Sequence, residues 1–135
     1  MTELLSGRCL CGAVRYRCGP PLYPPTLCHC ESCRRASGAH AVAWFTVAEG
    51  SFSYVAAAPR EFVSSPGVRR AFCAACGTPL TYRHAQRAPE VDVTLCSLEA
   101  PESLAPADHT WMQDALHWDH PADGLPQYGA TRRTG

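Results

Sequence analysis

Residues 27–38 read LCHCESCRRASG, which places Cys28, Cys30 and Cys33 within six positions, His29 between two of them, and Arg34 and Arg35 directly after. Thiolates so spaced can converge on one metal ion. A closed structural zinc site takes four protein ligands, whereas three leave a position for something else. Two further cysteine pairs have a different setting. Cys9-Leu10-Cys11-Gly12 and Cys73-Ala74-Ala75-Cys76-Gly77 each end in glycine directly after the second thiol. A permissive backbone there lets amide hydrogens turn toward the sulfurs and offset their charge. Two such knuckles, far apart in the chain, predict a four-thiolate tetrahedral site from Cys9, Cys11, Cys73 and Cys76. Zinc suits it best, and iron is also compatible.

Pairing the knuckles leaves Cys18 and Cys96 unassigned, and either could close the Cys28–Cys30–Cys33 set into a second structural site. Both lie in strand-like runs without a partner at ligand spacing, which favours the open alternative. In extended backbone His29 points away from its flanking thiols. It is expected to be a partly exposed side chain or a hydrogen-bond partner behind the ligands. Three thiolates leave zinc with a net charge of about minus one, a weak Lewis acid poorly matched to generating hydroxide. Such a soft site binds another thiolate well, holding it deprotonated yet nucleophilic. The chemistry this favours is addition of a small thiol to an electrophile such as an aldehyde, giving a hemithioacetal. Arg34 and Arg35 are candidates to hold a substrate carboxylate bidentately, and equally a solvated charge pair on a helical turn. Trp44, Trp111 and Trp118 are expected in the core, with none assigned to the site.

The elements that must position these residues are mostly strands. Alternation of small or apolar with polar residues predicts strands over 11–18, 40–47, 51–56, 70–73, 78–83 and 90–95. Gly19-Pro20-Pro21, Pro24-Pro25, Glu49-Gly50, Ser65-Pro66-Gly67 and Gly77 punctuate them. Twelve prolines leave little room for long helices, so helix is predicted only as short turns over 31–37, 101–104 and 113–116. The expectation is one all-β domain over 1–135, with 129–135 as a mobile tail.

Composition narrows the function further. The formal net charge is +0, and all twelve basic residues are arginine. A balanced charge argues against a nucleic-acid groove or an anionic membrane surface. With no lysine, Schiff-base catalysis is excluded, leaving metal, thiol, carboxylate and histidine. The N-terminus has neither the basic nor the apolar region of a signal peptide. The best apolar run, 39–48, is about half the ~20 residues of a membrane-spanning helix. A soluble cytoplasmic protein is expected. Nine cysteines, an odd number at tight spacings, then favour metal over disulfides.

The landmarks GRCLCGAVRY (7–16), CHCESCRRASG (28–38), FCAACGTPL (72–80) and DVTLCSLEAP (92–101) together resemble the glutathione-dependent formaldehyde-activating family, which includes centromere protein V. HTW (109–111), Trp118 and DGLPQY (123–128) resemble its C-terminal end. Cys96 and Glu99 stand where members often carry glycine and aspartate. The resemblance implies a mainly β, β-tent fold of stacked antiparallel sheets and two zinc ions per chain. It implies a structural zinc on Cys9, Cys11, Cys73 and Cys76, and a catalytic zinc on Cys28, Cys30 and Cys33 whose fourth position takes a substrate thiol. The implied activity is a carbon–sulfur lyase joining glutathione and formaldehyde. Two other readings stand beside it. One is a non-catalytic zinc-binding interaction or thiol-carrier module, against which stand the zero net charge and lack of a basic tail. The other is a redox enzyme using Cys96, which requires that thiol to be exposed near positive charge.

Overall fold

The computed structural model describes residues 4–132. Among the described residues, short runs of β-branched and aromatic residues between Gly and Pro turns build ten strands. They are β1 (Leu5–Arg8), β2 (Arg15–Cys18), β3 (Thr26–Cys28), β4 (Val42–Ala48), β5 (Ser53–Tyr54), β6 (Arg60–Ser65), β7 (Val68–Phe72), β8 (Pro79–His84), β9 (Glu90–Thr94) and β10 (Asp108–Thr110). The single α-helix among the described residues, α1 (Glu31–Ser37), matches the predicted 31–37 turn. The turns predicted at 101–104 and 113–116 appear as 3-10 turns at Pro101–Ser103 and Met112–Asp114. The strand predicted over 11–18 shortens to β2, because residues 9–14 fold into a knuckle with Gly12 at φ 79°. Strands β1, β3, β6 and β10 were not anticipated.

Two sheets result. One is three-stranded, in the order β1-β2-β5; the other is seven-stranded, in the order β10-β3-β4-β9-β8-β7-β6. Every pairing is antiparallel except β10 with β3. This is the mainly β architecture of stacked antiparallel sheets that the sequence leads one to expect. Alternation gives the large sheet two distinct faces. Phe45 and Val47 of β4 and Val91 and Val93 of β9 point to the small sheet, where they pack with Val14, Tyr16 and Phe52. The Tyr16 ring stacks on Phe52 at 5.3 Å, and its hydroxyl meets Ser97 Oγ at 2.6 Å. Trp44, on the opposite face of β4, belongs to a second cluster with Cys28 and Cys33. One face of the sheet therefore makes the core and the other packs against the Cys28–Cys33 cluster.

The described end of the chain is hydrogen-bonded to the body of the protein. A mobile tail is predicted from residue 129, yet Trp111 N–H donates to Ala130 O at 2.9 Å and Gln113 N–H to Gly129 O at 3.1 Å. The Arg132 guanidinium reaches Asp108 at 2.8 Å and the Pro24 carbonyl at 2.8 Å. Residues 129–132 are thus pinned beside β10, and 133–135 lie outside the described residues. Among the described residues no helix is long and apolar enough to cross a membrane.

Candidate metal centres and the cleft beside them

The two knuckles fold alike. Cys9 N–H donates to Val14 O and Cys73 N–H to Thr78 O, both at 3.1 Å, and Gly12 and Gly77 take φ values of 79° and 81°. Their four Sγ atoms lie within 4.8 Å of one another. Four sulfurs around one zinc at about 2.3 Å would be separated by about 3.8 Å. Cys9 and Cys11 Sγ are 3.6 Å apart, and Cys11 and Cys73 Sγ 3.7 Å, far beyond the ~2.05 Å of a disulfide. The cluster therefore fits a tetrahedral ion. Amides supply the charge compensation expected from the glycines: Val14 N–H points at Cys9 Sγ at 3.3 Å, and Ala75 N–H at Cys73 Sγ at 3.3 Å. The Thr78 hydroxyl lies 3.3 Å from Cys76 Sγ and accepts from Leu10 N–H at 3.0 Å, linking the knuckles directly. That hydroxyl, followed by backbone amides, pulls the Cys76 thiol down to about 5.

Cys28 ends β3, Cys30 caps α1 and Cys33 lies in its first turn. Chain reversal at the strand–helix junction brings the three Sγ atoms within 4.8 Å of one another, with no fourth Cys, His, Asp or Glu atom in the group among the described residues. Cys33 N–H donates to Cys30 Sγ at 3.4 Å. As bare thiols these groups oppose one another's ionisation. Hydrogen bonds from Cys28 and then Cys33 hold Cys30 far below the ordinary thiol range. Cys28 is pushed far above it by its bond to Cys30, then Cys33, then burial. A cation ligated by all three relieves that conflict, so the donor set fits a thiophilic metal.

Neither spare thiol is near. Cys18 is completely buried in the core, where burial raises it to about 11. Cys96 is exposed and lines a different cavity, with Arg8, Leu10 and Glu99. His29 is not partly exposed but 1% exposed, and it acts as a hydrogen-bond partner. Its Nε2 is 2.9 Å from His109 Nδ1, and His109 Nε2 is 2.8 Å from Asp123. On its other side His29 Nδ1 lies 3.4 Å from Asp119, which also meets His40 at 2.6 Å. The Cys28–Cys30 segment is thereby buttressed from behind by the C-terminal region. At 3.4 Å from Asp119, His29 Nδ1 makes no hydrogen bond. Burial disfavours a charged His29, with Asp119 acting in the opposite direction.

In front of the three thiols a cleft of about 710 Å³ opens, lined among others by Trp44, Thr46, Arg70, Tyr82, Asp92 and Trp111. Cross-strand register explains part of this wall. Phe62, Arg70, Tyr82, Asp92 and Thr46 are successive partners across β6, β7, β8, β9 and β4, so they stand in one row on the same face. Arg87 bridges Asp92 at 2.7 and 2.9 Å, which holds its own ionisation above the ordinary range, and Thr46 donates to Asp92 at 2.6 Å. Arg70 is committed differently. Its guanidinium lies 4.8 Å over the Tyr82 ring with Nη2 3.8 Å from Cys33 Sγ, and its buried Nε has no hydrogen-bond partner. Trp111 adopts a left-handed backbone at φ 58°, a conformation costing about 1–2 kcal/mol, held by bonds to the 128–130 segment. Of the two arginines singled out in the sequence, Arg35 lines the cleft and pairs with Glu31 at 3.4 Å, whereas Arg34 is not among its lining residues.

Residues 4–114 match the family model for the glutathione-dependent formaldehyde-activating enzyme. The chain belongs to that family. A curated Halomonas elongata protein, provisionally named as such an enzyme, is 34% identical over 86 residues, which cover 57% of this chain and 54% of that protein. The match thus spans about half the relative's length. A crystal structure of a Rhodobacter sphaeroides protein has the same fold, with a TM-score of 0.60 over 91% of this chain and 98% of that one, at 19% identity.

Arg70, Trp44, Tyr82 and Trp111 are the cleft residues that spacing did not reveal. The Arg69-Arg70 pair gave no sign of which guanidinium faces the thiols, because that depends on the register of β7 against β8. The tryptophans look alike in sequence, yet Trp44 and Trp111 wall the cleft while Trp118 is 69% exposed.

Proposed function

We propose that this protein is a zinc-dependent carbon–sulfur lyase that joins a small thiol, glutathione or a similar compound, to formaldehyde or another small aldehyde. The observation that carries the reading is the convergence of Cys28, Cys30 and Cys33, without a fourth protein ligand among the described residues, at the wall of a solvent-open cleft. Zinc bound there would supply a position that keeps a substrate thiol deprotonated and nucleophilic near neutral pH. Zinc in the four-cysteine cluster would be structural, giving two ions per chain.

The chain's own groups perform the rest. Cys28 and Cys33 are held by β3, α1 and the packed Trp44 face, and the His29–His109–Asp123 chain fixes the backbone between Cys28 and Cys30. Arg70 presents positive charge beside Cys33, where it would offset the excess negative charge of several thiolates and steady the oxygen of a carbonyl substrate. Arg35, which lines the cleft, would pair with a substrate carboxylate. Tyr82 and Trp44 form the apolar side of the cleft, limiting water beside the reacting carbon. Family membership supports the thiol and aldehyde classes.

Exchange between free aldehyde and its thiol adduct, followed by NMR magnetisation transfer, tests the reaction. Holoenzyme should accelerate exchange of formaldehyde with its glutathione adduct, and Cys30→Ser, still folded, should not. Exchange no faster than in buffer, with both metals bound, would favour the carrier module instead.

A further inference from the structure

A second cavity, of about 660 Å³, adjoins the first across Ser32, Cys33, Arg35, Trp44 and Arg70, which line both. Its remaining wall is of another character. Val42, Phe62, Ala71, Phe72 and Pro79 contribute apolar surface from β4, β6, β7 and β8. Formaldehyde has two heavy atoms and would fill little more than the ~30 Å³ of a water molecule. Neither its size nor its polarity accounts for this space. Phe62 is 61% exposed on the edge strand β6, directly opposite Arg70 in register. Phe62 is continuous with the apolar wall formed by Val42, Ala71, Phe72 and Pro79, and a contiguous apolar patch of this kind marks a binding site. Arg70 stands at the joint, with a buried Nε lacking a partner and Nη2 directed at Cys33.

We infer that this second cavity is a subsite for the apolar substituent of a carbonyl substrate larger than formaldehyde, an aliphatic or aryl aldehyde of about five to eight carbons. The inference rests on the lyase reading and specifies its substrate class. The thiol occupies the polar cleft, the aldehyde carbon lies beside Cys33, its chain runs between Trp44 and Phe62, and its oxygen faces Arg70. In the step, sulfur forms a bond to the carbonyl carbon, the carbonyl π pair moves to oxygen, and the proton given up by the thiol ends on that oxygen. Nothing is oxidised or reduced, and the product is a hemithioacetal.

The test compares formaldehyde, propanal and hexanal with glutathione on holoenzyme by the same exchange measurement, each relative to its uncatalysed rate. From propanal to hexanal, kcat/KM should rise by about fourfold per methylene buried, until the cavity fills. Val42→Phe, which narrows the cavity beside Trp44, should lower the hexanal-to-formaldehyde ratio severalfold. Phe62→Ala, at an exposed position that does not endanger folding, should lower it severalfold. A second readout needs no turnover: hexanamide, an unreactive analogue, should quench tryptophan fluorescence, and the quench should weaken severalfold in Val42→Phe. Catalysed formaldehyde exchange with no gain along the series, and no hexanamide binding, would overturn the subsite and leave the lyase reading standing. Hexanamide binding sensitive to Val42→Phe, without exchange of any aldehyde, would keep the subsite and overturn the lyase reading. Neither binding nor exchange would overturn both.

Discussion

Replacing Cys76 by serine should cost the protein its fold, whereas replacing Cys30 should cost it only one metal. Four thiolates on one ion contribute roughly 10–16 kcal/mol of apparent binding free energy to a small zinc domain. A chain of 135 residues has a net stability of only about 7–20 kcal/mol at ~0.05–0.15 kcal/mol per residue. Losing one ligand of four removes at least about a quarter of the metal term, ~2.5–4 kcal/mol. The Cys76 knuckle is also the one whose sulfur meets the Thr78 hydroxyl that accepts from Leu10, so the damage reaches both hairpins. At this size each kcal/mol moves Tm by roughly 3–4 °C, giving a drop on the order of 8–16 °C, or loss of soluble protein. The assay is far-UV circular dichroism melting with elemental analysis of the same samples. Cys30→Ser should go from two metals to one and melt within a few degrees of the parent. A Cys76→Ser protein that kept both metals and melted with the parent would refute the structural role assigned to the knuckles.

Four other outcomes are expected. Gly77→Ala, where φ is 81° with nothing within 4 Å of a new Cβ, should cost only the left-handed strain of about 1–2 kcal/mol. In contrast, Gly7→Ala places its Cβ 2.6 Å from the Ser97 carbonyl and against the Tyr16 hydroxyl and should cost about 3 kcal/mol or more; urea titrations read both. Burial raises Cys18 from 9.0 to about 11 in the folded state. Between those values the unfolded chain has released a proton that the folded one keeps, so stability falls as pH rises through that window. The Cys18→Ala variant should lack this part of the alkaline decline, on the order of 2–3 kcal/mol by the parent-minus-variant difference. Under mild chelation the three-cysteine metal should leave first with the fold intact; simultaneous loss of both metals with unfolding would contradict an independent second site.

Much of the metal chemistry was legible because it is local. C-x-C, C-x-x-C and the following glycines determine knuckles within five residues, and LCHCESC makes a strand–helix junction on its own. Only the proximity of Cys9 to Cys73 requires the fold, and matched knuckle spacing supplied that. Missed strands are those that periodicity cannot detect. Thr26–Cys28 and Asp108–Thr110 are three residues long, Leu5–Arg8 contains a glycine that reads as a turn, and Arg60–Ser65 is exposed on every residue. The parallel pairing of β10 with β3 joins residues 82 apart in sequence, and it places His109 beside His29, a burial that no local pattern announces. The row Phe62–Arg70–Tyr82–Asp92–Thr46 likewise exists only through register across five strands. Sequence therefore revealed the two cysteine clusters that could hold metal, whereas the residues that line the cleft beside them emerge from pairing.

On the proposed function, a metal held by Cys28, Cys30 and Cys33 takes a substrate thiol as its fourth ligand. Substituting cobalt for zinc makes the charge-transfer absorption of thiolate ligation a direct report, with glutathione and S-methylglutathione as the two titrants. Glutathione should raise the thiolate band, release a proton on binding and bind more tightly as pH approaches the thiol's own pKa. S-methylglutathione, with no ionisable thiol, should leave the band unchanged. A spectrum that no thiol perturbs, with the three-cysteine metal fully loaded, would contradict the account.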